Sequence, residues 1–370
     1  MKLTYYMPTR LVMGEDCIFE NRDLLIGLGK KALIVTGENS AKASGSLADM
    51  VKALEANGQT YALYDKVMSN PTVDCVFEAA ELAKSGGCSF VAALGGGSPM
   101  DAAKAAAALA LTKVEKAGVF GARLTEALPV AAVPTTAGTG SEVTQYAILT
   151  NDAAGTKTSV AAPALFPRFA FLDARYTAGL NRNITVNTAI DALSHAVEGM
   201  LSVRASALSD ALARESIAAI AGCLPVLEAA GTIDMDTRRK LLYASTLAGM
   251  VIANTGTTAV HAMGYLLTYN KNIDHGRANG LLFTHFLKFI EEKEKIPGSR
   301  RIPAILSALG MQNLDELGRS LDKLLGTREK CIPAELEQYA ETAIKAKNIS
   351  NCVIRADRED LLAIFTKSVG

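Results

Sequence analysis

Along the first half of the chain, short apolar runs alternate with stretches of helical spacing. Ala32-Leu33-Ile34-Val35 is an unbroken apolar run ending at Thr36-Gly37, as expected of a strand buried on both faces. From Leu47 to Leu54 the apolar residues recur at helical intervals. Tyr61-Ala62-Leu63-Tyr64 predicts the next strand, Asn70-Pro71-Thr72 a turn and cap, and Val73 to Lys84 a second helix. Phe90-Val91-Ala92-Ala93-Leu94 and Val130-Ala131-Ala132-Val133 are two further strands by the same criterion. Such alternation predicts a mostly parallel, doubly wound sheet.

Past Asn181 the pattern changes. Val186–Leu201, Ala207–Glu228, Thr237–Ala253 and Leu281–Glu292 are long, Ala/Leu-rich and of helical length, with no matching series of β-branched strands. The expected fold is an α/β domain over residues 1–180 followed by an all-α domain over 181–370. A chain of 370 residues is long enough for two such cores.

Composition narrows the class. With 49% hydrophobic and 21% charged residues the chain reads as folded rather than disordered. Its 38 Lys+Arg balance 38 Asp+Glu, which leaves no basic footprint for nucleic acid or an anionic membrane. The apolar stretch Ile217 to Leu227 is too short for a bilayer and contains Gly222 and Pro225. The start, Met1 to Pro8, lacks the apolar core of a signal peptide. Six scattered cysteines without a CxxC predict reduced core residues of a cytoplasmic protein, not a disulfide framework.

Two segments carry anion-binding chemistry. Gly95-Gly96-Gly97-Ser98-Pro99-Met100-Asp101 leads from the third strand into an Ala-rich helix, Ala102 to Leu111. Ser98 is the expected N-cap, Pro99 the first helical residue, and Asp101 the closing member of a capping box. A helix start of this kind offers unpaired N–H groups that suit a phosphate, although a well-capped turn without a ligand has the same sequence. GxGxxG is absent, which argues against a standard Rossmann fingerprint. The second segment, Pro134-Thr135-Thr136-Ala137-Gly138-Thr139-Gly140-Ser141-Glu142, directly follows the fourth strand. Both sit where ligands bind in a doubly wound sheet, at carboxyl ends of strands; a surface loop is the plainer reading of the second.

Metal chemistry is concentrated in the helical half. Asp191 and His195 are four apart on one predicted helix face, and His261 and His275 complete a set of three imidazoles and a carboxylate. That set suits Fe²⁺ or Zn²⁺ better than Mg²⁺. Buried histidines paired with a carboxylate for structural reasons are the alternative.

Taken together, Gly95-Gly96-Gly97-Ser98 with Asp101, the Pro134–Glu142 segment, Asp191-Ala192-Leu193-Ser194-His195-Ala196-Val197-Glu198 and His275-Gly276-Arg277-Ala278-Asn279 resemble the iron-containing (group III) alcohol dehydrogenases. That family shares the architecture of dehydroquinate synthase and glycerol dehydrogenase. The resemblance implies a metal-dependent alcohol dehydrogenase that moves hydride reversibly between a nicotinamide nucleotide and a small alcohol or aldehyde, as a homodimer or larger homo-oligomer. It implies metal ligation of Fe²⁺, or Zn²⁺ in its place, by Asp191, His195, His261 and His275. Cofactor binding is implied at Gly96, Gly97, Ser98, Asp101, Thr135, Thr136, Thr144 and Lys157, with Asn70 counted among them. Many members carry an Asp after the first strand to meet the adenosine ribose; here Gly37 stands there with Ser40 nearby, which favours NADP(H) over NAD(H), while Glu38 argues the other way. Many members also have a His four residues after His261, where this chain has Tyr265, taken with His275 as a catalytic candidate, while simple packing of the cleft wall is its plainer reading. His285 is expected to be scaffold. A dehydroquinate-synthase-like lyase would need Lys/Arg near the metal, where Arg277 stands alone. A glycerol dehydrogenase-like activity, a metallohydrolase and a non-catalytic nucleotide sensor are the other readings.

Overall fold

The computed structural model describes residues 3–229, 231–294 and 301–370; Met1 and Lys2, at the chain start read above for a signal peptide, lie outside them. The chain divides into two compact units, Met7–Leu180 and Asn181–Gly370, the latter including the chain start through Tyr6. Tyr6 N–H donates to Asn254 Oδ1 at 2.8 Å within that second unit.

In the first unit, six parallel strands form one sheet: β1 (Arg10–Met13), β2 (Lys31–Thr36), β3 (Thr60–Tyr64), β4 (Phe90–Gly95), β5 (Val130–Pro134) and β8 (Phe169–Leu172), in the order β1-β8-β5-β4-β2-β3. β6 (Tyr146–Asn151) and β7 (Thr156–Ala161) form a separate antiparallel hairpin. The four apolar runs read from the sequence are β2, β3, β4 and β5. The sequence reading did not pick out β1, β6, β7 or β8: β1 is exposed at both ends and β7 is mostly polar and half-exposed, whereas β6 and the fully buried Phe169–Leu172 of β8 carry apolar runs like those recognised elsewhere.

The side-chain period of two explains the double burial. Leu33, Val35, Val91, Ala93, Val130 and Ala132 share a core with α5 (Val73–Ser85) and α6 (Gly97–Leu109). Their neighbours Ala32, Ile34, Phe90, Ala92, Leu94, Ala131 and Val133 face the other way, into a core with Met50, Ala53 and Leu54 of α4 (Ser46–Ala56). Two short helices, α1 (Cys17–Glu20) and α2 (Asp23–Ile26), precede β2, and α3 (Ser40–Ser44) follows it. Because β2 pairs with β3 on one side and β4 on the other, the winding reverses there. The crevice of such a sheet opens at this switch point, at the carboxyl ends of β2 and β4.

The start of α6 corrects the expected cap. Gly96 is the N-cap, Ser98 and Pro99 already lie in the first turn, and no side chain caps the helix. Gly95, at φ +144°, turns the chain two residues earlier than a Ser98 cap requires, and only glycine adopts this conformation freely. The hydroxyl of Ser98 accepts instead from Asn70 N at 3.2 Å.

The second unit is helical: α7 (Arg182–Leu201), α8 (Ala207–Glu228), α9 (Met235–Thr255), α10 (Ala259–Lys271), α11 (His275–Lys293), α12 (Arg301–Leu309), α13 (Leu314–Leu325), α14 (Pro333–Ala343) and α15 (Arg358–Val369). The four long segments read from the sequence are α7, α8, α9 and the body of α11. α7 is buried on nearly every face from Thr185 onward, as befits a central helix packed by α8, α9 and α11. Gly276 lets α11 approach α7: a Cβ there would lie 1.8 Å from the Asn187 carbonyl oxygen. All six cysteines are buried and free. Among the described residues no helix is long and apolar enough to cross a membrane.

Candidate functional site

Three helices of the second unit converge on one point. α7 carries Asp191 and, one turn on, His195; α10 carries His261 in its first turn; α11 begins at His275. Asp191 Oδ1 lies 3.7 Å from His261 Nε2, 3.7 Å from His275 Nε2 and 4.0 Å from His195 Nε2. The donor atoms of Asp191, His261 and His275 all fall within 4.8 Å of one another. Ligands about 2.1 Å from a tetrahedral ion stand about 3.4 Å apart, so the spacing fits a single small ion. His195 flanks this triad with its ring stacked on His261, centroids 4.6 Å apart. The complete set of imidazoles plus one carboxylate suits Fe²⁺ or Zn²⁺.

The surroundings are largely buried and polar. Asp191, His195 and His261 are buried, while the His275 side chain retains 21% exposure. Tyr265 stacks on His275 at 5.0 Å between centroids and stands edge-on to His261, so the half-exposed side of the cluster is built by His275 and Tyr265. Burial would raise the Asp191 pKa, but His195, His275 and His261 together hold it well below the usual carboxylate range. Glu198 follows the same balance: burial opposes its charge, and His261 and Thr258 outweigh it. For His261 burial works against the proton, yet Glu198 and Asp191 push the imidazole up to about 9. Two buried carboxylates against three imidazoles make a pocket that favours a cation.

Two neighbours of the cluster carried no role in the sequence reading. Glu198 Oε1 accepts from Thr258 N at 2.8 Å, Thr258 Oγ1 at 2.6 Å and Val260 N at 3.1 Å, while Oε2 meets His261 Nδ1. Asn279 Nδ2 donates to Asp191 Oδ1 at 3.0 Å and lies 3.3 Å from both His261 Nε2 and His275 Nε2. Gly264 makes room for that amide, since a Cβ there would lie 2.0 Å from Asn279 Oδ1. Periodicity held the clue: Glu198 continues the Asp191–His195 face, and Asn279 lies one turn after His275.

In the first unit, the two Gly-rich segments meet at the carboxyl ends of adjacent strands. A Cβ on Gly96 would lie 3.2 Å from Thr136 Oγ1, and one on Gly97 would lie 2.7 Å from Thr139 Cγ2. Thr135 N donates to Gly95 O at 2.9 Å. Gly37 and Ser40 stand at the end of β2, with Ser40 Oγ 3.5 Å from Thr36 Oγ1. Asn70, at φ +58°, places its N–H on Ser98. This clustering leaves a bare backbone cradle at the N-terminus of α6, a form suited to a pyrophosphate.

Not every predicted cofactor residue faces that cradle. Asp101 Oδ1 accepts from Ser141 Oγ at 2.6 Å and pairs with Lys104 Nζ at 3.2 Å, and Oδ2 accepts from Ile148 N at 2.9 Å. Both of its oxygens therefore serve the chain. Thr144 Oγ1 and the carbonyls of Ser141 and Thr144 accept from Lys104 Nζ, at 3.1 to 3.4 Å. Lys104, the one basic residue of the Ala-rich α6, is the organiser that the sequence reading missed. Lys157 lies on β7 opposite Thr150. In the helical unit, His285 lies on α11 apart from the Asp191–His261–His275 cluster, and Arg277 is engaged by Glu329 and by the carbonyls of Leu325 and Thr327.

Both halves of the chain match known proteins. Residues 8–174 match the family model "Iron-containing alcohol dehydrogenase", and residues 185–369 match "Fe-containing alcohol dehydrogenase family, C-terminal". Alcohol dehydrogenase 4 of Schizosaccharomyces pombe is 35% identical over 383 aligned positions, covering 99% of this chain and 89% of its own. An iron-containing alcohol dehydrogenase from Thermotoga maritima is 38% identical, with a TM-score of 0.90 over 99% of both chains. Sulfoacetaldehyde reductase from Bifidobacterium kashiwanohense, solved in complex with NAD⁺, is 27% identical at a TM-score of 0.88, covering 100% of this chain and 99% of its own. The gathered imidazoles, the cradle at the sheet's switch point and these matches agree: the chain belongs to the iron-containing alcohol dehydrogenase family and is an oxidoreductase.

Proposed function

We propose that this enzyme transfers hydride reversibly between NADP(H) and a small alcohol or aldehyde, with Asp191, His195, His261 and His275 holding Fe²⁺, or Zn²⁺ in its place. The convergence of the Asp191, His261 and His275 donor atoms carries this reading. When bound, the ion supplies Lewis-acid polarisation of the substrate oxygen. Buried side chains around Asp191 keep water from the donor atoms, while half-exposed His275 and Tyr265 form the face a substrate meets. On that face the Tyr265 phenol donates to the substrate oxygen. Gly96, Gly97 and Ser98 seat the pyrophosphate at the start of α6, and Thr135, Thr136 and Lys157 hold the nicotinamide half. Asp101 and Thr144 act one step back, through Lys104.

Gly37 and Ser40 receive the 2′-phosphate: the residue directly after β2 is a glycine and not a carboxylate, and the Ser40 hydroxyl can donate to the phosphate. The NAD⁺ complex of the sulfoacetaldehyde reductase supports the rival cofactor, with exposed Glu38 facing the ribose. That relative's printed name also supports a short, polar aldehyde as substrate. Engagement of Arg277 by Glu329 speaks against the lyase reading, which needs cationic groups for a carboxylated substrate. A cytoplasmic homodimer or larger homo-oligomer belongs to the same proposal, supported by the family likeness and by six free cysteines.

The test is anaerobic oxidation of NADPH against NADH with a short aliphatic aldehyde, after Fe²⁺ is added to chelator-stripped protein. The expected result is metal-dependent turnover with a higher kcat/KM for NADPH. A higher value for NADH overturns the assignment of Gly37 and Ser40, and no turnover with either overturns the dehydrogenase reading.

A further inference from the structure

Glu198 is fully buried, and its carboxylate lies across the first turn of α10. Oε1 takes four donors, Thr258 N, Thr258 Oγ1, Val260 N and, at 3.5 Å, His261 N, which fixes the carboxylate in the orientation that turns Oε2 toward His261 Nδ1. An ionised carboxylate has no hydrogen to give, so the hydrogen in the contact with His261 belongs to Nδ1. On the far side of the ring Asn279 Nδ2, a donor, lies 3.3 Å from Nε2. Nε2 is therefore the nitrogen left to face Asp191 and His275, beside the Asn279 amide.

We propose that Glu198 is a positioning residue that holds His261 as the Nδ1–H tautomer, leaving the Nε2 lone pair directed at the point shared with Asp191 and His275. This rests on reading that point as a metal site. Only a deprotonated imidazole nitrogen ligates a metal, and a carboxylate on the other nitrogen fixes the ring and raises its basicity. The same side chain ties the ligand to the start of its own helix, because the amides it accepts from are those of the first turn of α10.

Glu198→Gln separates tautomer control from packing. The glutamine has the same shape and is neutral. Its carbonyl oxygen can replace Oε1 and keep the bonds from Thr258 and Val260, but its NH₂ then faces His261 Nδ1. The ring must accept there, carry its hydrogen on Nε2 and lose the lone pair at the metal point. Glu198→Asp remains acceptor-only, although its reach is shorter by one methylene. Tautomer control predicts that Asp retains more metal affinity than Gln. A purely structural role as an anchor for α10 predicts the reverse, since Asp loses reach and Gln does not.

The experiment titrates Zn²⁺ into chelator-stripped wild type, Glu198→Gln and Glu198→Asp against a competing chromophoric chelator. Circular dichroism verifies that each variant is folded. Long-range ¹H–¹⁵N NMR of the four histidines in the Zn²⁺-loaded wild type then reads which nitrogen of His261 bears hydrogen. The expected result is an affinity loss of about 10–100-fold for Gln, a smaller loss for Asp, and a hydrogen on Nδ1. Wild-type binding with an unaffected Gln variant, an Asp variant weaker than Gln, or a hydrogen-free Nδ1 overturns the inference alone. A wild type that binds no Zn²⁺ overturns the metal reading and this inference with it.

Discussion

Replacing Lys104 by Met should destabilise the first unit and loosen the nucleotide cradle together. The ammonium is completely buried and makes four contacts: the Ser141 and Thr144 carbonyls, the Thr144 hydroxyl and Asp101. Methionine fills much of the same space but satisfies none of them. It leaves two buried carbonyls unpartnered on this side and the Asp101 charge with only Ser141 and Ile148. Breaking a buried pair from one side costs about 3–5 kcal/mol. In a unit of this size that is a drop of roughly 6–20 °C in Tm, at about 2–4 °C per kcal/mol. The partner change, Asp101→Asn, leaves a neutral amide that Ser141 and Ile148 can still hold. In the double variant the uncompensated carboxylate is gone, so the joint loss should fall well short of the sum. Calorimetric melts of the wild type, both single variants and the double variant close the cycle. NADPH titrations should also show weaker binding by Lys104→Met. Additive losses, or a single-variant loss under about 1 kcal/mol, would refute a clamp built on this ion pair.

Asp191→Ala and His275→Ala should each abolish turnover while NADPH binding, followed by its fluorescence, stays within a few-fold of wild type; activity surviving in either removes that residue from the ligand set. Gly97→Ala puts a Cβ 2.7 Å from Thr139 Cγ2, so NADPH affinity should fall roughly tenfold, at about 1.4 kcal/mol; unchanged affinity would mean that the turn does not hold the nucleotide. Stability of the chelator-stripped protein should depend on pH through His261, whose pKa rises from 6.5 to about 9 on folding. A base raised on folding stabilises fully below its unfolded pKa, so this contribution is present below about 6.5 and is lost as pH climbs through 9. Asp191 and Glu198 are lowered instead, so their contribution is lost in acid, as pH falls through and below the ordinary carboxylate range. Because an ion must displace the His261 proton, Zn²⁺ affinity should rise with pH up to about 9; a flat affinity profile would contradict the raised pKa.

How much of this was legible beforehand follows from where each signal is written. β2, β4 and β5 are buried on both faces, so each is an unbroken apolar run that periodicity detects. β8 is a buried four-residue apolar run no different in kind from Val130–Val133 and was simply not picked out; β1 is exposed at both ends, β6 runs from four apolar residues into Thr150 and Asn151, and the mostly polar β7 reads as loop. The cap of α6 was misplaced because hydroxyl preference points to Ser98, whereas the turn at Gly95 decides where the helix starts. Asp191 and His195 share one helix face, a relation that spacing alone reveals. His261 and His275 reach them through tertiary packing, including the close approach at Gly276; the chemistry of the residue types suggested one set, and the likeness to a known family strengthened it. Glu198 and Asn279 lie at helical spacing from ligands, but a carboxylate or amide on a helix is usually solvated. Their roles emerge from burial and partners. Lys104 was hidden for the same reason, since nothing local distinguishes a buried lysine from an exposed one.

The central claim is that an ion held by Asp191, His195, His261 and His275 is required for oxidoreductase turnover. Its most direct test is a stepwise anaerobic addition of Fe²⁺ to chelator-stripped protein, with the rate of NADPH oxidation in the presence of a short aldehyde recorded at each step. The rate should climb from background and level off at one equivalent per chain, with no response in His261→Gln. A stripped wild type that turns over as fast as the replenished one would contradict the account.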